Sequence, residues 1–366
     1  MFLKKYGQVA VSPFSFHEHG FSLYAPHYDA WAPSVDSMKK NVLIVRPWDS
    51  SFIHNDGVVL RKYYDVREIK YALSRKHISS VFRSIDIVRS LLWADVVFIR
   101  FAAKHAEELT LVCKLIGKKT VVVVGGYEVA SVPEIGYGAA LDHDRVRRVR
   151  NVLERADKIL AVSGSSRSEI EAIYLSDKIE MVYDGVDIQH FSPGDVVKES
   201  IVLTVGAIGT DTVKRKGFMT FVKAAARVPE AEFVLVGEHK DRSVDDLKAA
   251  APCNVRFVGF QTDDELLNWY RRAKIYCQLS KHEAFGVALV EAMSCGCVPV
   301  TTTEGALEEV AGNAGFFAEY GNVASTASAI KSALNSNNEK KARERVEEYF
   351  SLQNRGEKLA SIIDNL

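Results

Sequence analysis

Short unbroken apolar runs recur along the chain, separated by stretches in which apolar residues return every three or four positions. Residues 41–45 (Asn-Val-Leu-Ile-Val), 94–100 (Ala-Asp-Val-Val-Phe-Ile-Arg), 118–124 (Lys-Lys-Thr-Val-Val-Val-Val) and 158–162 (Lys-Ile-Leu-Ala-Val) are runs of the first kind. Their β-branched content without alternation predicts strands buried on both faces of a parallel sheet. Helical periodicity between them predicts helices over 105–116 and 145–156. Strand alternating with helix implies an open α/β sheet. A turn-rich stretch then follows, from Asp184-Gly185-Val186-Asp187 to Phe191-Ser192-Pro193-Gly194-Asp195, and reads as a linker between domains.

Beyond the linker the pattern restarts. Strands are expected at 201–205, 232–236, 255–258, 275–279 and 298–301, with helices at 218–227, 263–272 and 287–294. Residues 340–366 read as one or two amphipathic helices. The chain of 366 residues fits two domains at about 100–200 residues each. The expected division is an N-terminal extension over 1–37, a first Rossmann-like domain over 38–190, a second over 191–340, and C-terminal helices over 341–366 that could pack back on the first domain. The extension is aromatic and His-rich without a clear period. Its His17, Glu18, His19 and His27 offer ligating atoms, but no metal is expected there.

Composition changes this picture little. Lys plus Arg and Asp plus Glu are 47 each, so no net charge directs the chain to nucleic acid. The basic run from Arg145 to Arg150 reads as a solvated helix face. Five cysteines without CxxC spacing argue against a disulfide framework or a zinc site and fit a reducing cytoplasm. No stretch is long and apolar enough for a membrane helix.

The chemistry concentrates in one segment, Ser280-Lys-His-Glu-Ala-Phe-Gly-Val-Ala-Leu-Val-Glu-Ala-Met-Ser-Cys-Gly-Cys-Val-Pro-Val300. A predicted strand ends at Leu279, and open sheets bind ligands outside the carboxyl ends of their strands. The next helix begins near Gly286 or Val287, where free backbone N–H groups favour an anion such as a diphosphate. Glu283 stands in the loop and can accept hydrogen bonds from sugar hydroxyls. Glu291 stands about one turn into the helix and suits the paired hydroxyls of a ribose. Ala284 and Ala288 leave room for close approach, and Gly296 ends the helix. Taken singly, each glutamate is as readily a surface charge.

Taken together, the segment resembles the Glu-x7-Glu signature of the retaining glycosyltransferases of family 4, whose members have the GT-B fold: α/β, two Rossmann-like domains facing across a cleft. The resemblance implies that Glu283 contacts the donor sugar and Glu291 the nucleotide ribose. It also implies that the backbone at Phe285, Gly286, Val287 and Ala288 lines sugar and diphosphate. Thr204-Val205-Gly206 followed by Lys214-Arg215-Lys216-Gly217 extends the match, with Lys216 in the place of the family's diphosphate-binding lysine. The family carries an arginine after the glycine, whereas Gly206 is followed here by Ala207; Arg215 is the candidate to compensate. The resemblance is strong over about 195–335 and loose in the first domain. There Gly126, with Gly125, and Tyr127 and Glu128 are the candidates on the acceptor side.

The implied reaction is transfer of a hexose-type sugar from a UDP- or GDP-sugar to a glycan, lipid-linked or small-molecule acceptor, with retention and without a metal or other cofactor. No nucleic-acid partner is expected. A lipid-linked acceptor would bring a cytoplasmic protein to the inner face of the membrane. Two other readings stay open. One is a catalytically silent subunit of this type, motivated by the missing arginine. The other is a nicotinamide-dependent oxidoreductase using Gly206-Ala207-Ile208-Gly209 with Glu238, although the third glycine of that fingerprint is absent.

Overall fold

The computed structural model describes residues 39–48, 50–71 and 79–366, with side chains from 86 onward in the last stretch. The expected extension over 1–37 and its His17, Glu18, His19 and His27 lie outside the described residues. Residues 39–366 form one compact unit built on two six-stranded parallel sheets.

The first sheet draws on β1 (Asn41–Arg46), β2 (Asp65–Lys70), β3 (Val96–Arg100), β4 (Lys119–Val124), β5 (Lys158–Ala161) and β6 (Ile179–Met181). Helices α1 (Ser51–Leu60), α2 (Ser79–Trp93), α3 (Lys104–Leu115), α4 (His143–Arg155) and α5 (Gly164–Ile173) connect them. Its order is β2-β1-β3-β4-β5-β6, so the direction of winding reverses between β1 and β3. The central strands carry the predicted signature: Val42, Leu43 and Ile44, Val97, Phe98 and Ile99, and Val121 to Val124 are all fully buried. β2, Asp-Val-Arg-Glu-Ile-Lys, is an edge strand with alternating exposure, and its polar text gives no apolar run to read.

The second sheet comprises β7 (Glu199–Val205), β8 (Glu232–Val236), β9 (Val255–Gly259), β10 (Ala273–Gln278), β11 (Val298–Thr301) and β12 (Phe316–Phe317). Between them lie α6 (Thr210–Arg215), α7 (Phe218–Ala225), α8 (Ser243–Ala249), α9 (Asp263–Arg272), α10 (Val287–Ser294) and α11 (Leu307–Ala311). The order β12-β11-β10-β7-β8-β9 places the switch point between β7 and β10. Helices α12 (Val323–Leu334), α13 (Glu339–Tyr349) and α14 (Leu352–Asp364) complete the chain. Both sheets are thus of the doubly wound type whose ligands lie at such switch points.

The linker is pinned rather than loose. Val186 bridges to the α13–α14 junction, donating its N–H to Phe350 O (2.9 Å) and accepting from Leu352 N (3.0 Å). Arg343 of α13 donates to Ile188 O (2.8 Å) and Phe191 O (2.6 Å). Helix α14 packs on α1 of the first half, where Lys40 Nζ donates to Ile363 O (2.8 Å) and Tyr64 Oη to Ala360 O (3.0 Å). One apolar core runs through the junction, joining Val121, Leu160 and Val182 of the first half to Ile201, Phe285, Leu289 and Phe350.

A buried charge cluster sits within this junction. Arg100, at the end of β3, donates to Asp56 of α1 (2.6 Å) and to Asp184 of the linker (2.7 Å). Arg355 of α14 donates to the other oxygen of Asp56 (2.6 Å) and to Tyr183 O (2.6 Å), and lies 3.3 Å from Asp184. Burial alone would raise the Asp56 carboxyl, but the two guanidinium groups outweigh it and hold its pKa below the ordinary value. Removing one partner strands buried charge. Asp56→Ala is therefore expected to destabilise the protein by about 3–5 kcal/mol, read as a lower urea midpoint. Breaking the exposed Arg272–Glu199 pair by Arg272→Ala should cost under about 1 kcal/mol in the same assay.

Candidate functional site

The loop after β10 forms as the sequence suggests because its neighbours brace it. Thr302 donates through Oγ1 to Ser280 O (2.6 Å), and Ala306 N–H to Glu283 O (2.9 Å). Gly305, with φ of +62°, lies directly under the Glu283 backbone; a Cβ there would stand 2.4 Å from Glu283 O. No side chain but hydrogen fits at that position. Lys281 pairs with Glu304 (3.0 Å), closing the same loop from outside. Phe285 is buried and packs its ring against Tyr183 and Phe350, centroids 6.0 and 5.4 Å away. Its side chain anchors the loop in the core, so only its backbone is free to border a ligand.

Gly286, at φ of +96°, precedes α10, and no side chain caps that helix. The N–H groups of Val287 and Ala288 therefore head the helix at the loop that carries Glu283.

The two glutamates occupy opposite electrostatic settings. Glu283 Oε2 accepts from Gln278 Nε2 (2.9 Å), Ser280 Oγ (3.1 Å) and Arg215 (3.2 Å), and lies 3.9 Å from Lys216 Nζ. Burial pushes its pKa up, but Lys216 and Arg215 prevail and set it at about 2. Glu291 is 9% exposed, with Tyr270 Oη donating to its Oε2 (3.1 Å). Here burial wins over that hydrogen bond, and the pKa rises to about 8. The two carboxyls are thus driven apart by their surroundings, one toward the ionised and the other toward the protonated form.

Lys216 follows α6 and lays its stem against Gly206 at the end of β7; a Cβ on Gly206 would stand 2.8 Å from Lys216 Cδ. Burial lowers the lysine's pKa against the opposing pull of Glu283. Arg215 also donates to His282 O (3.3 Å) and lies 5.0 Å over the ring of Tyr137. The donor candidates Gly206, Arg215, Lys216, Glu283 and the start of α10 are thus gathered where β7 and β10 end, at the switch point of the second sheet.

The acceptor candidates face them from the first sheet. Gly126, at φ of +111°, packs on the loop after β10; a Cβ there would lie 2.2 Å from Ala284 Cβ. Tyr127 is 48% exposed and its hydroxyl accepts from Arg145 (3.3 Å). Glu128 is buried, and its Oε1 accepts from the N–H groups of Gly125 (2.8 Å) and Ala102 (3.1 Å). That oxygen braces the loop.

Sequence reasoning missed the residues that join the halves here. His282 Nε2 lies 2.6 Å from Glu169 of α5, with its ring against Tyr137. Glu309 of α11 accepts from Gly164 N at the head of α5 with both oxygens (2.9 and 3.0 Å), and from Tyr183 Oη (2.7 Å). Each pair is far apart in the chain, so no local signal marks it. Among the described residues no three His, Cys, Asp or Glu side chains converge as a metal site requires, and no helix is long and apolar enough to cross a membrane.

Comparison with known proteins agrees with this geometry. Residues 186–351 match the family described as glycosyl transferases group 1. A D-inositol 3-phosphate glycosyltransferase of Kribbella flavida is 30% identical over 184 residues, 43% of this chain and 42% of that protein. The enzyme of the same name from Mycobacteroides abscessus is 28% identical over 178 residues, 43% of this chain and 39% of that protein. The matched region is therefore about two fifths of the length of these relatives. Among solved structures, Anabaena Alr3699/HepE in complex with UDP and glucose superposes with a TM-score of 0.72 at 15% identity, over 89% of this chain and all of the other. A glycosyltransferase from Rickettsia africae ESF-5 gives 0.71 at 18% identity, over 88% and 97%. The sucrose-phosphate synthase of Thermosynechococcus elongatus gives 0.72 at 16%, over 89% and 99%. The chain thus has the two-sheet α/β fold of the GT-B glycosyltransferases, with a segment, residues 186–351, that matches the group 1 glycosyl transferases.

Proposed function

We propose that the protein is a retaining, metal-independent glycosyltransferase of the Glu-x7-Glu type. It moves a hexose-type sugar from a nucleotide diphosphate sugar, UDP-linked before GDP-linked, to a glycan, lipid-linked or small-molecule acceptor. The observation that carries this reading is the pair Glu283 and Glu291. They stand eight residues apart at the switch point of the second sheet, one held ionised by two cations and the other held neutral by burial. The UDP and glucose bound to the solved HepE structure of the same fold favour a UDP-sugar.

In this reading Lys216, Arg215 and the head of α10 hold the donor diphosphate and stabilise the charge that grows on it as the glycosidic bond breaks. Arg215 reaches the loop from α6 and supplies the cation that Ala207 does not. Fixed cations do the work a divalent ion would otherwise do, so no metal is needed. Glu283 orients the sugar hydroxyls, and Glu291 takes the ribose hydroxyls. The acceptor hydroxyl attacks from the face the diphosphate leaves, and the diphosphate oxygen receives its proton. Contacts such as Gly126 on Ala284 and His282 on Glu169 close the halves and exclude water that would hydrolyse the donor.

Thermal-shift measurement against UDP-, GDP- and ADP-sugars identifies the donor, because a ligand of the native state raises its midpoint. Glu283→Ala is expected to cut transfer by about 10²–10³-fold with little loss of UDP affinity. Glu291→Ala should instead weaken UDP binding by about tenfold or more. Chelation by EDTA should leave turnover unchanged. If both variants transfer sugar like the parent, the assignment fails. Donor binding without transfer or donor hydrolysis would mean a silent subunit instead.

Glu291 also sets a pH dependence. Its folded pKa is raised from 4.5 to about 8, so its contribution to stability is fully present below 4.5 and lost as pH rises through about 8. A ribose that donates to the carboxylate prefers the ionised form. UDP affinity is therefore expected to rise about tenfold between about pH 7 and about pH 9, and Glu291→Gln to flatten that rise, both read by calorimetry.

A further inference from the structure

The carboxyl edge of the first sheet carries a built aromatic surface. β1 runs out through Pro47 to Trp48, and β3 through Arg100 to Phe101. These strands are neighbours at the point where the strand order reverses, the place where such sheets bind ligands. The rings of Trp48 and Phe101 are stacked, with centroids 4.5 Å apart and planes at 27°. Phe52 of α1 meets Phe101 edge-on at 6.2 Å. Together they form a three-ring cluster from segments far apart in the chain.

The backbone is bent to hold it. Phe101 has a φ of +70°, and among the described residues no other non-glycine residue has positive φ. A bulky L-residue stays in that conformation only where its surroundings fix it, and such residues gather at ligand sites. Gly125 gives Phe101 its space, since a Cβ there would stand 2.3 Å from the ring. Phe101 is 9% exposed, whereas Trp48 above it keeps 42% of its surface open. The buried ring supports, and the outer ring presents.

The cluster is one step from the donor loop: Phe101 touches Gly125, and Gly126 touches Ala284, the neighbour of Glu283. It is also electrically quiet. Arg100 stands 5.1 Å over Phe52, but its charge is offset by Asp56 and Asp184. An uncharged, flat, partly open indole suits the C–H face of a pyranose ring, whose weakly positive hydrogens meet the negative π face while its hydroxyls stay in water. We propose that Trp48, backed by Phe101, is the stacking platform for a pyranose ring of the acceptor. This deepens the transferase reading and rests on it for the identity of the opposite side as the donor site.

The test uses ligand-observed saturation-transfer NMR on the full chain with methyl α- and β-pyranosides of glucose, galactose and N-acetylglucosamine. Sorbitol serves as an open-chain polyol control. Saturation is expected on the ring C–H protons of at least one pyranoside and not on sorbitol. Trp48→Leu keeps apolar packing on Phe101 but removes the π face, and should weaken that binding about tenfold. Trp48→Phe should stay within about threefold of the parent. Equal binding by Trp48→Leu, equal saturation of sorbitol, or no pyranoside binding to the parent would each overturn the platform. A UDP thermal shift on the same samples separates the two readings. A UDP shift without Trp48-dependent pyranoside binding sinks the platform alone. Trp48-dependent binding without any nucleotide shift keeps the platform and sinks the donor site.

Discussion

Two arginines and two aspartates buried at the junction of the halves hold the rest of the molecule in register. Asp56 accepts from Arg100 and Arg355 with separate oxygens, and Asp184 closes the ring from the linker. Each charge comes from a different segment: α1, the end of β3, the linker and α14. None of these ions could be buried alone, since the desolvation of an unpaired charge far exceeds what packing returns. The cluster therefore forms only when all four segments are in place. It fixes where β3 ends, hence where Phe101 turns, and where the linker delivers the second sheet.

From that junction the two sheets present the carboxyl ends of their strands to one another. The loop after β10 is held from below by Gly305 and from within by Phe285, whose ring belongs to the shared core. What the loop can do then follows from electrostatics. Lys216 and Arg215 converge on Glu283 and keep it ionised, while Glu291, with one phenol for company, stays protonated near neutrality. Two identical side chains are pushed in opposite directions because their neighbours differ. In the proposed reading the same two cations, held by Glu283 at 3.2 and 3.9 Å, would answer a diphosphate.

The opposite face is organised differently. It offers stacked rings, a strained phenylalanine and two glycines, with Arg100 offset by Asp56 and Asp184 and Arg145 held on Tyr127. In the proposed reading, a charge-bearing donor side facing an aromatic side suits two substrates of unlike chemistry meeting at one point. Glu128 illustrates how the first half serves that face indirectly: its buried oxygen braces the Gly125–Gly126 turn that gives Phe101 room and lets the halves touch.

Much of this was legible in the residues themselves. The buried strands announced their sheets because both faces of a central strand are apolar, and the run from Ile275 to Val300 carried strand, loop, helix and strand in unbroken order. Its chemistry is local, so its residues sit together in the text. β2 was not legible, because an edge strand with polar text lacks the apolar signal. No local signal ties Arg100, Asp56, Asp184 and Arg355 together, since Asp56 and Arg355 meet across 299 positions. Trp48 and Phe101 gave no sign of stacking, nor did Glu169 of meeting His282. The sequence by itself determined most of the segments that become strands and the placing of Glu283 and Glu291 on one loop and the helix after it. Only the tertiary structure decided which of those carboxylates is charged and which aromatic ring is left open. Ionisation and exposure depend on neighbours brought from elsewhere in the chain, and residue type alone does not specify them.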